Sequence, residues 1–560
     1  MLLRNTEPES RGASTSLVVI VHAFRRSSAD MGDVRQAVAG ARPDADLLVP
    51  DYPARVLSGA DPVRIAEELV EVISKAVKDR KERGAEYHDI VLIGHSLGAL
   101  FVRKAYVFAR GQNQDHTGPL APAPRSWAAL VSRIILLAGV NRGWEPRHRG
   151  QAVSRWRWVG YALAAWLFRW TGLGGLVNGT RQGTPFVANL RIQWINLVRG
   201  SAPPPTTVQL LGDTDDVVAA SDNIDLQAGS QFVYLQLRDT GHVNAIDFSG
   251  PVGQQRRAVF LQALMTSPGQ LVSSVVLPNM IDSDVKRVVF VMHGIRDRGH
   301  QWTGALAQAV RAQAVVLGQR VEVVTSSYGY FPMIAFLLQP ERQKNVRWFM
   351  DEYTEALARY PSAKLSFIGH SNGTYLLAAA LKRYRACWFD RVVFAGSVVN
   401  DEFDWDAEVL AGRVQAVQNL VATGDLVVAV FPAVFYQLRG AEADLGGAGH
   451  DGFATNEGQR YQVCYIRGGH GAGKVPENFP AMARFALGDD TALPPAGLRE
   501  GRQKWWVVWA GKFRLVIWFL ILALAVGLVL LPVFLGATGW PAALECGGIL
   551  LAVWTVLRWV

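Results

Sequence analysis

Short, predominantly apolar runs recur along the first 490 positions, and each ends in a small-residue turn. The first set is LVVIVHAF (17–24), DIVLIGHSLGALFVRKAY (89–106), RIILLAGVNRG (133–143), VQLLGDTDDVV (208–218) and FVYLQLRDTGH (232–242). Runs that are mostly apolar without alternation and rich in β-branched residues predict strands buried on both faces. Between them lie stretches such as DPVRIAEELVEVISKAVKDR (61–80), with apolar residues every three or four positions. That period predicts amphipathic helices. Strands alternating with helices predict a doubly wound, mostly parallel α/β sheet. The series then repeats: RVVFVMHGI (287–295), KLSFIGHSNGTYLLAAAL (364–381), RVVFAGSVVND (391–401), VQNLVATGDLVV (417–428) and YQVCYIRGGH (461–470). An internal duplication of this kind predicts two tandem units of one fold.

The pattern changes at the C-terminus. Residues 515–536, LVIWFLILALAVGLVLLPVFLG, carry no charge. A helix of that length spans a hydrocarbon core of roughly 30 Å. The loop ATGWP (537–541) leads to AALECGGILLAVWTVLRWV (542–560), which is weaker because Glu545 sits near its start. Lys504, Lys512 and Arg514 precede the first span, Arg558 ends the second, and the loop between has no Lys or Arg. The positive-inside rule then puts both ends of a transmembrane helical hairpin, and the body before it, in the cytoplasm. Trp505, Trp506, Trp509, Trp540 and Trp559 fall where an interfacial belt belongs. The expected organisation is a polar tail (1–14), a first domain (15–265), a linker (266–284), a second domain (285–490), a juxtamembrane linker (491–514) and two transmembrane helices (515–536 and 542–560).

Composition narrows the function classes. Of 560 residues, 50% are hydrophobic and 19% charged, which is too apolar for a disordered chain. The net charge of +9 can face nucleic acid or an anionic membrane. No long Lys/Arg run or zinc-finger spacing occurs, so no nucleic-acid partner is expected. Cys387, Cys464 and Cys546 lie far apart. They form no disulfide framework or metal pattern and suit a reducing compartment. The polar start MLLRNTEPESRGAS lacks the apolar core of a cleaved secretory signal.

The chemistry concentrates in G-x-S-x-G, which occurs as Gly94-His95-Ser96-Leu97-Gly98 and as Gly369-His370-Ser371-Asn372-Gly373. Each copy follows a buried strand and opens a helix, the context of a nucleophile elbow. The chain resembles the α/β-hydrolase superfamily over roughly 15–265 and 285–490, the first copy being most similar to lipase-like serine esterases. The resemblance implies two tandem α/β-hydrolase domains, nucleophile, acid and histidine in that chain order, and no metal or organic cofactor.

A serine hydroxyl needs a histidine to take its proton, and that histidine needs a carboxylate to fix its tautomer. The expected triads are Ser96, Asp215 and His242, and Ser371, Asp425 and His470. The D-x-V-V string shared by Asp215 and Asp425 favours Asp215 over Asp213 and Asp216. Asp404 and Asp406 are reserve acids and His450 a reserve base in copy two. His95 and His370 sit inside the elbows and are expected to shape the turn. The oxyanion hole needs two donors. The backbone N–H groups of Leu97 and Asn372 supply one each; Phe24 and Ile295, in the turn after the first strand, supply the other. Copy two keeps His293-Gly294 in that turn, whereas copy one has His22-Ala23.

The copies differ in length. Asp215 follows Ser96 by 119 positions, and Asp425 follows Ser371 by 54. The excess lies mainly in 144–200, with eight arginines and Glu145 as its one acidic residue. Its core, RWRWVGYALAAWLFRW (155–170), reads as a basic, Trp-rich amphipathic helix of the interfacial type. In lipase-like hydrolases this position carries a lid, and GTPFVANLRIQW (183–194) resembles the segment that returns from it. The expectation is a membrane-anchored serine hydrolase cleaving carboxylic esters, of lipid or acyl type. A membrane-tethered scaffold using hydrolase folds is the alternative from another class, since fold does not imply function. A lipid-degrading effector in microbial defence is a third.

Overall fold

The computed structural model describes residues 2–10, 14–114, 123–145, 174–214, 232–274, 281–295, 297, 301–435, 444–454, 460–535 and 539–559. The chain divides into two compact units. One holds Met1–Ile281 with Met350–Arg359 and Tyr384–Ala386; the other holds Asp282–Phe349, Tyr360–Arg383 and Cys387–Val560.

The first unit is built on β1 (Ser16–Val21), β2 (Ala45–Leu48), β3 (Asp89–His95), β4 (Val131–Leu137), β5 (Thr206–Gly212) and β6 (Phe232–Leu237). They form one sheet in the order β2-β1-β3-β4-β5-β6, every pair parallel. Its helices are α1 (Gly32–Ala41), α2 (Pro62–Glu82), α3 (Leu97–Ala109), α4 (Gly175–Gly179), α5 (Pro185–Arg199) and α6 (Gly250–Met265). Both faces of the sheet are covered, which is why the strands read as mostly apolar runs. Leu17, Val19 and Leu92 pack with residues of α2, α3 and α5, while Val18, Ile20 and Ile93 pack with residues of α1 and α6. Asp61 caps α2 by accepting from the Val63 amide at 2.9 Å, and Pro62 fits the first helical position.

The second unit has β7 (Arg287–Met292), β8 (Val321–Val324), β9 (Lys364–His370), β10 (Phe389–Ala395), β11 (Val414–Ala422) and β12 (Tyr461–Ile466). Their order is β8-β7-β9-β10-β11-β12, again parallel throughout. This is the strand order of the first sheet. The helices are α7 (Gln301–Val316), α8 (Met333–Leu337), α9 (Gln339–Arg359, whose residues from Met350 on are counted with the first unit), α10 (Asn372–Arg383), α11 (Trp405–Leu410), α12 (Leu426–Val430), α13 (Phe479–Ala486), α14 (Trp505–Lys512), α15 (Arg514–Phe534) and α16 (Gly539–Trp559). Only α15 is, among the described residues, both long and apolar enough to cross a membrane. The helix α16 runs for 21 residues and packs on α15.

In each sheet the chain leaves the first strand in one direction and returns on its other side, so a topological switch point lies between β1 and β3, and between β7 and β9. Ligands of open α/β sheets bind beyond the carboxyl ends of the strands at that point. Both serines stand there. The helix after each can approach the neighbouring strand only over glycine. A Cβ on Gly98 would lie 2.3 Å from the Val21 carbonyl oxygen, and one on Gly373 would lie 2.4 Å from that of Met292. Gly98→Ala is therefore expected to destabilise the first unit by about 2–3 kcal/mol, since backbone must move. Thermal unfolding checks this; a melting temperature equal to wild type would contradict it.

Candidate active site

Ser96 has φ +52° and ψ −114°, and Ser371 has φ +53°. Positive φ is costly for a residue with a Cβ, and such strain gathers where a side chain must be held out for chemistry. The elbows are tied to the next strand: the Ser96 amide donates to the Leu137 carbonyl at 2.9 Å, and that of Ser371 to the Ala395 carbonyl at 3.1 Å. Leu97 and Asn372 are the first residues of α3 and α10. Their N–H groups belong to the helix-start donors that have no intrahelical acceptor.

In the first unit the Ser96 Oγ lies 2.6 Å from His242 Nε2. Asp215 and Asp216 lie outside the described residues, so the expected acid of this copy has no described position. The alternative, Asp213, is occupied elsewhere. Its carboxylate accepts from the amides of Asp239 and Thr240 at 3.1 and 3.0 Å, and so builds the turn before His242.

In the second unit His470 Nδ1 lies 2.8 Å from Asp425 Oδ2. The other carboxylate oxygen of Asp425 accepts from the Val428 amide at 3.0 Å, capping α12. Among the described residues, no hydrogen bond joins the Ser371 hydroxyl to His470. Of the reserve residues, Asp404 caps α11 at the Ala407 amide, 2.9 Å away. Asp406 lies in the first turn of α11. His450 Nδ1 accepts from Gln503 Nε2 at 3.2 Å, and its Nε2 lies 3.5 Å from Asp451. Asp404 is thus occupied as a helix cap, and His470 holds the contact to Asp425.

The elbow histidines have matching partners. His95 Nε2 lies 3.2 Å from the His242 carbonyl oxygen, and His370 Nε2 lies 2.9 Å from that of His470. A carbonyl only accepts, so the proton is on Nε2 and each ring clamps the backbone of the later histidine, His242 or His470. Burial, followed by the neighbouring histidine, lowers the His95 imidazole to about 3 and His370 well below its ordinary value. Both stay neutral and place no cation beside His242 or His470.

The turn after the first strand holds a feature that the sequence patterns did not expose. His22 stacks on Tyr52 and His293 on Tyr328, each with ring centroids 4.2 Å apart. The Tyr52 hydroxyl donates to the His22 carbonyl at 3.1 Å, and that of Tyr328 to the His293 carbonyl at 2.6 Å. Tyr328 also accepts from Asn372 Nδ2 at 3.1 Å. The two tyrosines follow β2 and β8, in the strings DYP (51–53) and SYG (327–329). A Cβ on Gly294 would come 2.7 Å from the Ser371 Cβ, so this turn runs directly over Ser371. Phe24 and Ile295 lie in these turns, both half-buried. The next residue in copy one, Arg25, has φ +60° and spends its amide on the Ala54 carbonyl.

The insertion of copy one is described only in part. Residues 146–173, and with them the Trp-rich 155–170, lie outside the described residues. In the returning segment Phe186, Leu190 and Trp194 of α5 are buried in the core of the first unit.

One titratable group here escaped sequence reasoning. Burial, and then the neighbouring Asp451 carboxylate, push the Asp401 carboxyl up to about 7. Between about pH 4 and 7 the folded chain holds a proton there that the unfolded chain has lost, so this group's contribution to stability falls as pH rises across that window. Asp401→Asn keeps an acceptor for the Gly447 amide, which donates to Asp401 Oδ1 at 2.7 Å. Thermal unfolding at several pH values is expected to show a flatter slope for this variant and a higher midpoint above pH 7. An unchanged slope would contradict the assignment.

Residues 12–121 match the family described as "Putative serine esterase (DUF676)". Among solved structures, esterase B from Lactobacillus rhamnosis is 14% identical, covering 47% of this chain and 79% of that one, with a TM-score of 0.33. An esterase of Pyrococcus furiosus is 14% identical over 46% and 84%, with a TM-score of 0.30. The carboxylesterase EstE1 from a metagenomic library is 15% identical over 46% and 81%, with a TM-score of 0.32. No curated protein sequence matches the chain. The family match, over residues 12–121, and the parallel sheets covered by helices are what the α/β-hydrolase resemblance leads one to expect of a serine esterase.

Proposed function

We propose that the protein is a membrane-anchored serine hydrolase that cleaves carboxylic esters of lipid or acyl type, with two tandem sites facing the cytoplasm. The observation that carries this reading is the 2.6 Å contact of Ser96 Oγ with His242 Nε2 at a positive-φ elbow. In the first site Ser96 attacks the ester carbonyl carbon while His242 takes its proton and Asp215 orients the ring. The oxygen of the tetrahedral intermediate is held by the N–H groups of Leu97 and Phe24. His242 returns the proton to the leaving alkoxide, and the acyl-enzyme is hydrolysed by a water activated the same way. Ser371, Asp425 and His470, with Asn372 and Ile295 as donors, do the same in the second site. The domains are taken as 15–265 and 285–490, the membrane anchor as a hairpin of α15 and α16, and 144–200 as a lid. The apolar character of α15 supports the anchor.

Fluorophosphonate capture tests the reading. Wild type is expected to label, and Ser96→Ala and Ser371→Ala each to lose one site's adduct. A folded protein that labels at neither serine would favour the scaffold.

A further inference from the structure

The second site lies between two short apolar helices, and each rests on a different helix of the C-terminal pair. On the acid side, Asp425 caps α12, and α12 packs against α14 and α15. The Lys504 amide, at the start of α14, donates to the Thr423 carbonyl at 3.0 Å, two residues before the acid. Trp518 of α15 donates from Nε1 to the Val430 carbonyl at 3.1 Å, and its ring meets Phe431 edge-on at 5.4 Å. On the oxyanion side, Tyr328 bonds the His293 carbonyl and Asn372, and stacks edge-on with Phe331 at 6.0 Å. The helix that follows, α8, packs against α16.

These elements leave apolar groups in the open. Leu426 and Val427 on α12 are 42% and 38% exposed, Trp505 and Trp509 on α14 are 75% and 54% exposed, and Leu338 ends α8 at 37%. Lys504 and Lys512 are exposed at the two ends of α14. Tryptophans with flanking lysines are the composition of a helix that lies in the headgroup layer. The apolar surface continues without a break of chain into α15, whose own surface is nearly all exposed.

We propose that this rim is a membrane-docking surface whose occupant is the lipid bilayer that receives α15 and α16, and that the Ser371 site takes ester-linked acyl chains directly from it. The inference rests on the hydrolase and anchor readings above and adds where the substrate enters. The anchor becomes part of the site's mouth, with the acid loop and the oxyanion turn each braced on it.

The test uses the full chain in vesicles of phosphatidylcholine and phosphatidylglycerol. Cys387 and Cys464 are buried, so Cys546→Ser leaves a background for one engineered thiol. An environment-sensitive dye on Leu426→Cys is expected to shift to the blue and to be quenched by chain-brominated lipid. The same dye on Val315→Cys, a position 79% exposed on α7, is expected to remain in water. A Leu426 dye that behaves like the Val315 dye would overturn the proposal. So would protection that grows with protein concentration and is independent of lipid, because a second copy would then cover the face. A second arm measures capture of Ser371 in the Ser96→Ala background by a long-chain phosphonate dissolved in the bilayer and by a short soluble one. The double variant Leu426→Asp, Val427→Asp is expected to lower the ratio of the first to the second about tenfold, because two side chains lose their apolar environment. Equal loss with both probes would overturn direct entry from lipid. Capture by neither probe, with the dye buried, would overturn the catalytic reading and leave the docking surface standing.

Discussion

Ser96→Ala is expected to abolish fluorophosphonate capture at the first site and to lower that site's ester turnover by about 10⁴-fold or more. The substitution removes the only atom that can form the acyl-enzyme, while the surrounding elbow keeps its bonds to Leu137 and its closely packed glycines. His242→Ala is expected to cost about as much, because the hydroxyl 2.6 Å away loses its proton acceptor. The double variant should be no worse than either single one, since the two groups act as one device. All three are measured in a Ser371→Ala background, so that the second site adds nothing. Turnover in Ser96→Ala within about tenfold of the parent would remove Ser96 from the chemistry and leave the elbow as a turn.

Much of this was legible in the sequence, for physical reasons that differ from residue to residue. The strands could be read because a parallel sheet covered on both faces leaves few polar positions in its strands. The elbows could be read because a sharp strand-to-helix turn needs small residues where backbone meets backbone, as Gly98 does against Val21 and Gly373 against Met292. The shared D-x-V-V string marked Asp425, and its side chain meets His470 while capping α12. The stacks of His22 on Tyr52 and His293 on Tyr328 were not legible in the same way. They join residues on neighbouring strand ends, and nothing in a local pattern says which tyrosine will fold over which histidine. Nor was the clamp from His95 and His370 to the carbonyls of His242 and His470, because a backbone oxygen leaves no trace in the sequence. The bracing of α12 and α8 on the C-terminal helices was hidden for a further reason. Both are too short for a periodic signal, and their meaning comes from what they rest against.

Asp425→Asn should slow capture of Ser371 by about 10³- to 10⁴-fold, measured in the Ser96→Ala background, with little loss of stability. The reason lies in the two oxygens of Asp425. One accepts from the Val428 amide and caps α12; the other accepts from His470 Nδ1. An asparagine keeps its carbonyl on the cap and so presents its NH₂ to the histidine. A donor there forces the proton of the imidazole onto Nε2, the nitrogen that must be bare to receive the serine's proton. The fold is retained and the chemistry is lost. Asp425→Ala removes both contacts, so it is expected to lose the rate and, in addition, about 1 kcal/mol from the uncapped helix. The absence of a bond between Ser371 and His470 does not weaken the expectation, because such contacts tighten when substrate arrives. Asp404→Asn serves as the control: its carboxylate caps α11 at Ala407, so capture of Ser371 should be unchanged. If Asp404→Asn slowed capture as much as Asp425→Asn, the acid of this site would have to be reassigned. If neither variant slowed it, the site would not work through a carboxylate-oriented histidine.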